Sequence, residues 1–168
     1  MFDMTEIQSS LVQVSGVITD TLILPTSLGL AAESASVADL DGDGQDEVVL
    51  FVGMSTRVVW VSFEKLTTRP DVDVLKSYRG APTPQTADGQ AFFVAWSEYP
   101  ASVIDSAPRP RLFSWTRQSG FVDVTSAHPA FVRRTLIPEL NALLANEKDS
   151  GRRANFQTVI AQLYQESK

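Results

Sequence analysis

The chain has 168 residues, 43 % of them hydrophobic and 20 % charged, with a formal net charge of −6 and no cysteine. That is globular composition with enough chain for one core, and it excludes disorder, thiol catalysis, zinc–thiolate sites and disulfides. The acidic balance argues against a nucleic-acid partner, which needs clustered Lys and Arg, and no apolar run approaches the roughly 20 residues that span a bilayer.

LVQVSGVI, Leu11 to Ile18, alternates apolar and polar residues with the period of a half-buried strand, and Thr21 to Leu24 extends it before Pro25. Ser36 to Ala38 is also strand-like. Val48 to Val52 is a continuous apolar run of strand length, as expected of a strand covered on both faces. RVVWVSF, Arg57 to Phe63, is rich in β-branched and aromatic residues. Only Gly53 to Thr56 separates it from the preceding run, so the two are expected to form a hairpin. Glu64 to Gln90 is polar, with PTP at Pro82 to Pro84 and DG at Asp88–Gly89, and reads as connection with one short strand around Asp71 to Tyr78. AFFVAW, Ala91 to Trp96, is the next strand. APRPR reads as a break, after which RLFSWT and GFVDVT, joined by RQSG, form a second hairpin.

The last 40 or so residues change period. Pro129 suits a first helical position, with Ser126 to His128 as candidate caps. Val132, Leu136, Leu140, Leu143 and Leu144 form an apolar stripe, and Pro138 inside it predicts a kink or two abutting helices. Asp149–Ser150 is a new cap. Phe156, Val159, Ile160 and Leu163 then fall at i, i+3, i+4 and i+7, a second amphipathic helix. Solvated helix faces account for the isolated basic pairs Arg133/Arg134 and Arg152/Arg153.

The densest chemistry lies between Val37 and Gly53, where Asp39, Asp41, Asp43, Asp46 and Glu47 put five carboxylates within nine residues. Asp39, Asp41 and Asp43 occupy positions 1, 3 and 5 and Gly44 position 6, a spacing that lets a tight loop aim alternate carboxylates at one centre. Gln45 at position 7 can offer its backbone carbonyl, and Glu47 stands at position 9. Hard oxygen ligands in this number suit calcium, and without a cation the carboxylates would repel one another. Position 12, where an EF-hand needs a bidentate Glu, is Leu50, and the flanks are strand-like rather than helical.

This strand–loop–strand form, DLDGDGQDEVVLFVG, resembles the FG-GAP and VCBS repeats of integrin-like β-propellers and many bacterial exported proteins. The resemblance implies a structural Ca2+ with Asp39, Asp41, Asp43 and Glu47 as side-chain ligands and Gln45 as a main-chain ligand. Asp46 matches a polar position whose side chain need not reach the metal. A complete propeller needs at least four blades of about 40 residues. One motif is present and some 127 residues precede the helices, so a sheet or small sandwich carrying one such unit is expected.

Other chemistry is sparse. His128 is the single histidine, and at S-A-H-P a capping or surface role is expected over general-base work; no G-x-S-x-G elbow is present. Glu33, Glu98 and Asp105 could supply a carboxylate pair, but nothing in the sequence ties any two together. Trp60, Trp96 and Trp115 lie on expected strands beside apolar residues, so core packing is preferred to a sugar-stacking platform.

The sequence therefore predicts one α+β domain over 1–168. Residues 1–127 form an antiparallel sheet or small sandwich with the calcium loop at 39–47, and 128–168 form a helical hairpin packed on it. The expected function is that of a non-catalytic, calcium-stabilised binding or inhibitory module engaging another protein. The alternative is a small hydrolase or carbohydrate-active domain using cleft carboxylates. Loops of this grade in extracellular modules bind calcium at about 10⁻⁴ to 10⁻³ M, which points to the periplasm or cell exterior. MFDMTEIQSS lacks a signal-peptide pattern, so the chain is expected to be either cytoplasmic or, as that placement requires, trimmed of its leader.

Overall fold

A computed structural model describes residues 10–15, 18–23, 34–44, 46–60, 71–87, 90–100 and 104–168. Among the described residues, ten strands and a helical C-terminal region build an α+β fold. The alternating N-terminal stretch is a hairpin rather than one strand: β1 (Ser10–Ser15) pairs antiparallel with β2 (Ile18–Ile23), and Ile18 lies opposite Ser15.

The first four-stranded sheet is an antiparallel meander of β3 (Ser34–Ala38), β4 (Glu47–Val52), β5 (Ser55–Trp60) and β6 (Asp71–Lys76). The β4–β5 hairpin has the expected partners, and its second strand starts two residues earlier than the sequence suggested. The acidic loop is the β3–β4 connection. Along β4, Val49 is buried on one face and Val48 and Leu50 on the other, so the continuous apolar run does mark a strand covered on both sides.

The second sheet has the order β10-β9-β8-β7, from β7 (Pro84–Ala87), β8 (Gln90–Tyr99), β9 (Ala107–Thr116) and β10 (Gly120–Asp123). Two expectations fail here, both at prolines. Pro84 opens an edge strand instead of lying in a connection, a position where the missing N–H costs nothing. APRPR is no break but the first half of β9. Pro108 and Pro110 pair with Glu98 and Trp96, while β10 reaches only Phe113 to Thr116. Leu112, of the same parity, turns its N–H and carbonyl away from β8, to the Thr125 hydroxyl and the Val124 N–H. The two prolines thus lack donors on a side where no strand needs them.

β8 explains its own composition. Phe93 and Ala95 face the first sheet, where they pack with Trp115, Val49, Val58 and Leu75. Phe92 faces the helices, packing with Leu112, Val132, Leu136, Leu140 and Phe156. Sheet, sheet and helices form three layers with two cores, and AFFVAW is apolar throughout because both of its faces are covered. Trp115 Nε1 donates to Asp73 Oδ2 at 2.8 Å, tying β9 to β6 across the sheets.

After a 3-10 turn (Thr125–Ala127) come α1 (Pro129–Phe131), a π-helical turn (Val132–Leu136), α2 (Ile137–Asn146) and α3 (Ser150–Glu166). Pro138 follows the π turn. The Ile137 N–H reaches back to the Val132 carbonyl, and the wider turn carries the helix past the proline, which has no N–H of its own. Phe156, Val159, Ile160 and Leu163 are the buried face of α3, as their spacing predicts. The Asp149 side chain caps that helix by accepting from the Arg152 N–H at 2.8 Å. Arg111 of β9 pairs with Glu166, fastening the end of α3 to the sheet. Among the described residues no helix is long and apolar enough to cross a membrane.

Candidate metal centre

The β3–β4 loop turns on its own first acid. Asp39 accepts from the Gly42 N–H through Oδ1 at 2.7 Å and from the Gly44 N–H through Oδ2 at 3.0 Å. Gly42 and Gly44 have φ of +78° and +85°, the left-handed region that side chains other than glycine rarely adopt. Asp41 Oδ1 accepts from the Asp43 N–H at 3.3 Å. The D-x-D-G-D-G spacing thus becomes a tight coil with its carboxylates converging. One oxygen from each of Asp39, Asp41 and Asp43 lies within 4.8 Å of the others. Calcium–oxygen bonds of about 2.3–2.6 Å put opposed ligands about 4.6–5.2 Å apart, so three such oxygens fit one coordination sphere. The donor set, all hard oxygen, suits calcium.

The structure thus brings three of the five sequence-predicted ligands together. Gln45 lies outside the described residues. Asp46 is exposed, and Glu47 lies outside the group of three and is fully buried. Glu47 Oε2 accepts from the Leu40 N–H at 3.0 Å, closing the base of the loop. Its Oε1 accepts from Arg117 Nε at 3.2 Å and from a terminal guanidinium nitrogen at 2.8 Å. Burial pushes the Glu47 carboxyl above its ordinary value, while the Leu40 and Arg117 hydrogen bonds pull the other way. The Arg117 guanidinium moves up, chiefly through its hydrogen bond to Glu47.

Arg117 is the residue that sequence reasoning missed. It sits in the β9–β10 turn, 3.4 Å from Asp43 Oδ2, and its backbone N–H donates to Asp41 Oδ2 at 3.4 Å. One guanidinium from the second sheet therefore reaches the acidic loop of the first. Nothing in R-Q-S-G signals this beyond a positive charge at a hairpin tip.

The remaining candidates separate. His128 is a packing residue and not a side-chain cap: its ring lies 4.9 Å from that of Phe92, and its side chain makes no capping hydrogen bond. Glu33 lies outside the described residues. Glu98 is exposed on β8, and Asp105 approaches Gly151 at the start of α3 so closely that a Cβ there would meet Oδ2 at 2.4 Å. Trp115 is core, Trp96 is partly buried beneath Arg79, and nothing is described of the Trp60 side chain. Compared with known proteins, the chain matches no family model, no curated protein and no solved structure.

Proposed function

We propose that this chain is a non-catalytic module that uses calcium to hold its β3–β4 loop and works by binding another protein in an exported, calcium-rich setting. The observation that carries the metal half is the convergence of Asp39, Asp41 and Asp43 within 4.8 Å. A strand–loop–strand unit of the FG-GAP/VCBS kind accounts for both the acid spacing and the apolar strand that follows. Calcium in this reading is structural: Asp39, Asp41 and Asp43 supply side-chain oxygens and Gln45 a backbone carbonyl. Glu47 takes a different part from the one its spacing suggested, gripping Leu40 and Arg117 from beneath the loop.

Support for a protein partner comes from the first sheet. Its register places Val37 and Val74 on the same face as Val48 and Leu50. The two central residues are buried, whereas Val37 on β3 and Val74 on β6 are 52 % and 44 % exposed. Exposed β-branched residues on edge strands are a template for association with another chain. The hydrolase reading finds less support: His128 is buried against Phe92, and Glu139 at the cavity described below is paired with Arg79.

Isothermal titration of metal-stripped protein with calcium tests the metal half. One site is expected, lost in Asp41→Ala and kept in Asp46→Ala. Absence of binding at millimolar calcium would overturn it. Recovery of a partner from an exported fraction of the native host, dependent on Val37 and Val74, tests the other half.

A further inference from the structure

A cavity of about 200 Å³ opens between the second sheet and the helices, away from the acidic loop. Its walls include Trp96 of β8 and Phe131 of α1, and its polar side chains are Arg79, Thr83, Gln85, Thr135 and Glu139. We propose that this cavity binds a single neutral pyranose ring.

The aromatic walls are fixed in place. The Trp96 backbone is held on both sides by the segment that crosses between the sheets, its N–H donating to Ser77 Oγ at 3.1 Å and its carbonyl accepting from the Tyr78 N–H at 3.1 Å. Phe131 meets Phe92 edge-on, with ring centroids 4.9 Å apart. The Arg79 guanidinium lies 4.5 Å over the Trp96 ring and pairs with Glu139 at 3.4 Å. That pair joins the crossing segment to α2 and holds both polar groups at the cavity.

Thr135 arrives by a separate device. It belongs to the π-helical turn, a rare distortion that occurs disproportionately at functional sites. The exposed positions of Thr135 and Gln85 leave their polar groups available to a ligand.

Chemistry and size select the occupant. Arg79 and Glu139 cancel each other's charge, so the cavity offers little net field to a phosphate or carboxylate. A zwitterion would have to break the pair to use either member. A pyranose leaves the pair intact: with one face of Trp96 already covered by Arg79, its C–H groups meet the Phe131 wall, and its hydroxyls, donor and acceptor at once, suit a rim of guanidinium, carboxylate, amide and hydroxyl. The volume lies below the roughly 300–1,000 Å³ of pockets for larger ligands, which restricts the occupant to one ring.

The test is a nitrogen–proton NMR titration of the intact chain with methyl glucoside, methyl galactoside and methyl mannoside, using glycine and inorganic phosphate as competitors of other chemistry. The expected result is a saturable shift of the Trp96 indole N–H with one of the glycosides, unchanged by chelator. Gln85→Ala and Thr135→Ala, both at exposed positions, should keep the folded spectrum and bind about tenfold more weakly. No shift with any glycoside at high millimolar concentration would overturn the proposal. So would equal binding by both variants, or a response to glycine or phosphate alone.

Discussion

Glu47 carries a charge where there is no water to solvate it, and Arg117 is what makes that tenable. The carboxylate is fully buried and the guanidinium side chain 23 % exposed, so the pair is anchored at one end and screened at the other. Breaking a buried ion pair costs about 3–5 kcal/mol when the partner is left uncompensated, and the exposure of Arg117 puts this one near the lower bound. Arg117→Ala should therefore destabilise the protein by about 3 kcal/mol in urea unfolding at neutral pH. The loss should depend on pH. Burial raises the folded-state value of Glu47 above 4.5, so its contribution to stability is complete below that pH and is lost as pH rises through the raised value. Without Arg117 the carboxyl moves higher still and the window widens. The destabilisation should accordingly be smaller in mildly acidic solution, where the stranded carboxyl takes up a proton, than at neutral pH. An equal loss at both would mean that Glu47 is not the group left stranded.

The elements differ in how much of themselves they determine. α3 is locally specified at both start and face: Asp149 caps it, and Phe156, Val159, Ile160 and Leu163 line one side. Asp149→Ala should cost about 1 kcal/mol, the usual value of an N-cap, and Asp149→Asn much less because its amide oxygen can still accept from the Arg152 N–H. Chemical denaturation of the two variants beside the parent checks this; equal losses would show that the charge at the helix start, and not the hydrogen bond, carries the effect. β9 is the contrary case. Its prolines argue against a strand in any local reading, and they are harmless only because β10 ends before reaching them. The π turn is likewise invisible in V-R-R-T-L, whereas the disturbance expected at Pro138 was legible and falls one turn earlier in the helix.

At the scale of the molecule, the acidic loop lies where the two sheets meet: its strands belong to the first sheet, Leu40 packs in the core between the sheets, and Arg117 comes from the second. An ion that binds only the folded state stabilises by RT ln(1 + [L]/Kd), about 2.7 kcal/mol at a hundredfold excess over Kd. For a chain of this length that corresponds to a rise in Tm of about 5–11 °C. Metal-stripped protein should melt higher in calcium than in chelator by that amount. Magnesium should do little, because it demands tighter octahedral geometry and keeps its water. Asp41→Ala and Asp43→Ala should remove the calcium-dependent part. Coincident melting curves in chelator, calcium and magnesium would leave Arg117 as the counter-charge, among the described residues, on which the loop's stability depends.

What the sequence determined by itself was local. The order of apolar runs, the two amphipathic helical faces, the Asp149 cap and the convergence of Asp39, Asp41 and Asp43 all depend on residues within about one turn or one loop of each other, where spacing is geometry. The tertiary structure decided everything that joins distant chain. Arg117 lies 70 residues from Glu47, and no feature of a hairpin tip names the carboxylate it will meet. The prolines of β9 are tolerated by the absence of a neighbour, which only sheet order determines. Trp96, Arg79 and Glu139 meet across a strand, a crossing segment and a helix. Side-chain identity carries charge and shape, but which charge faces which is decided by the packing of layers.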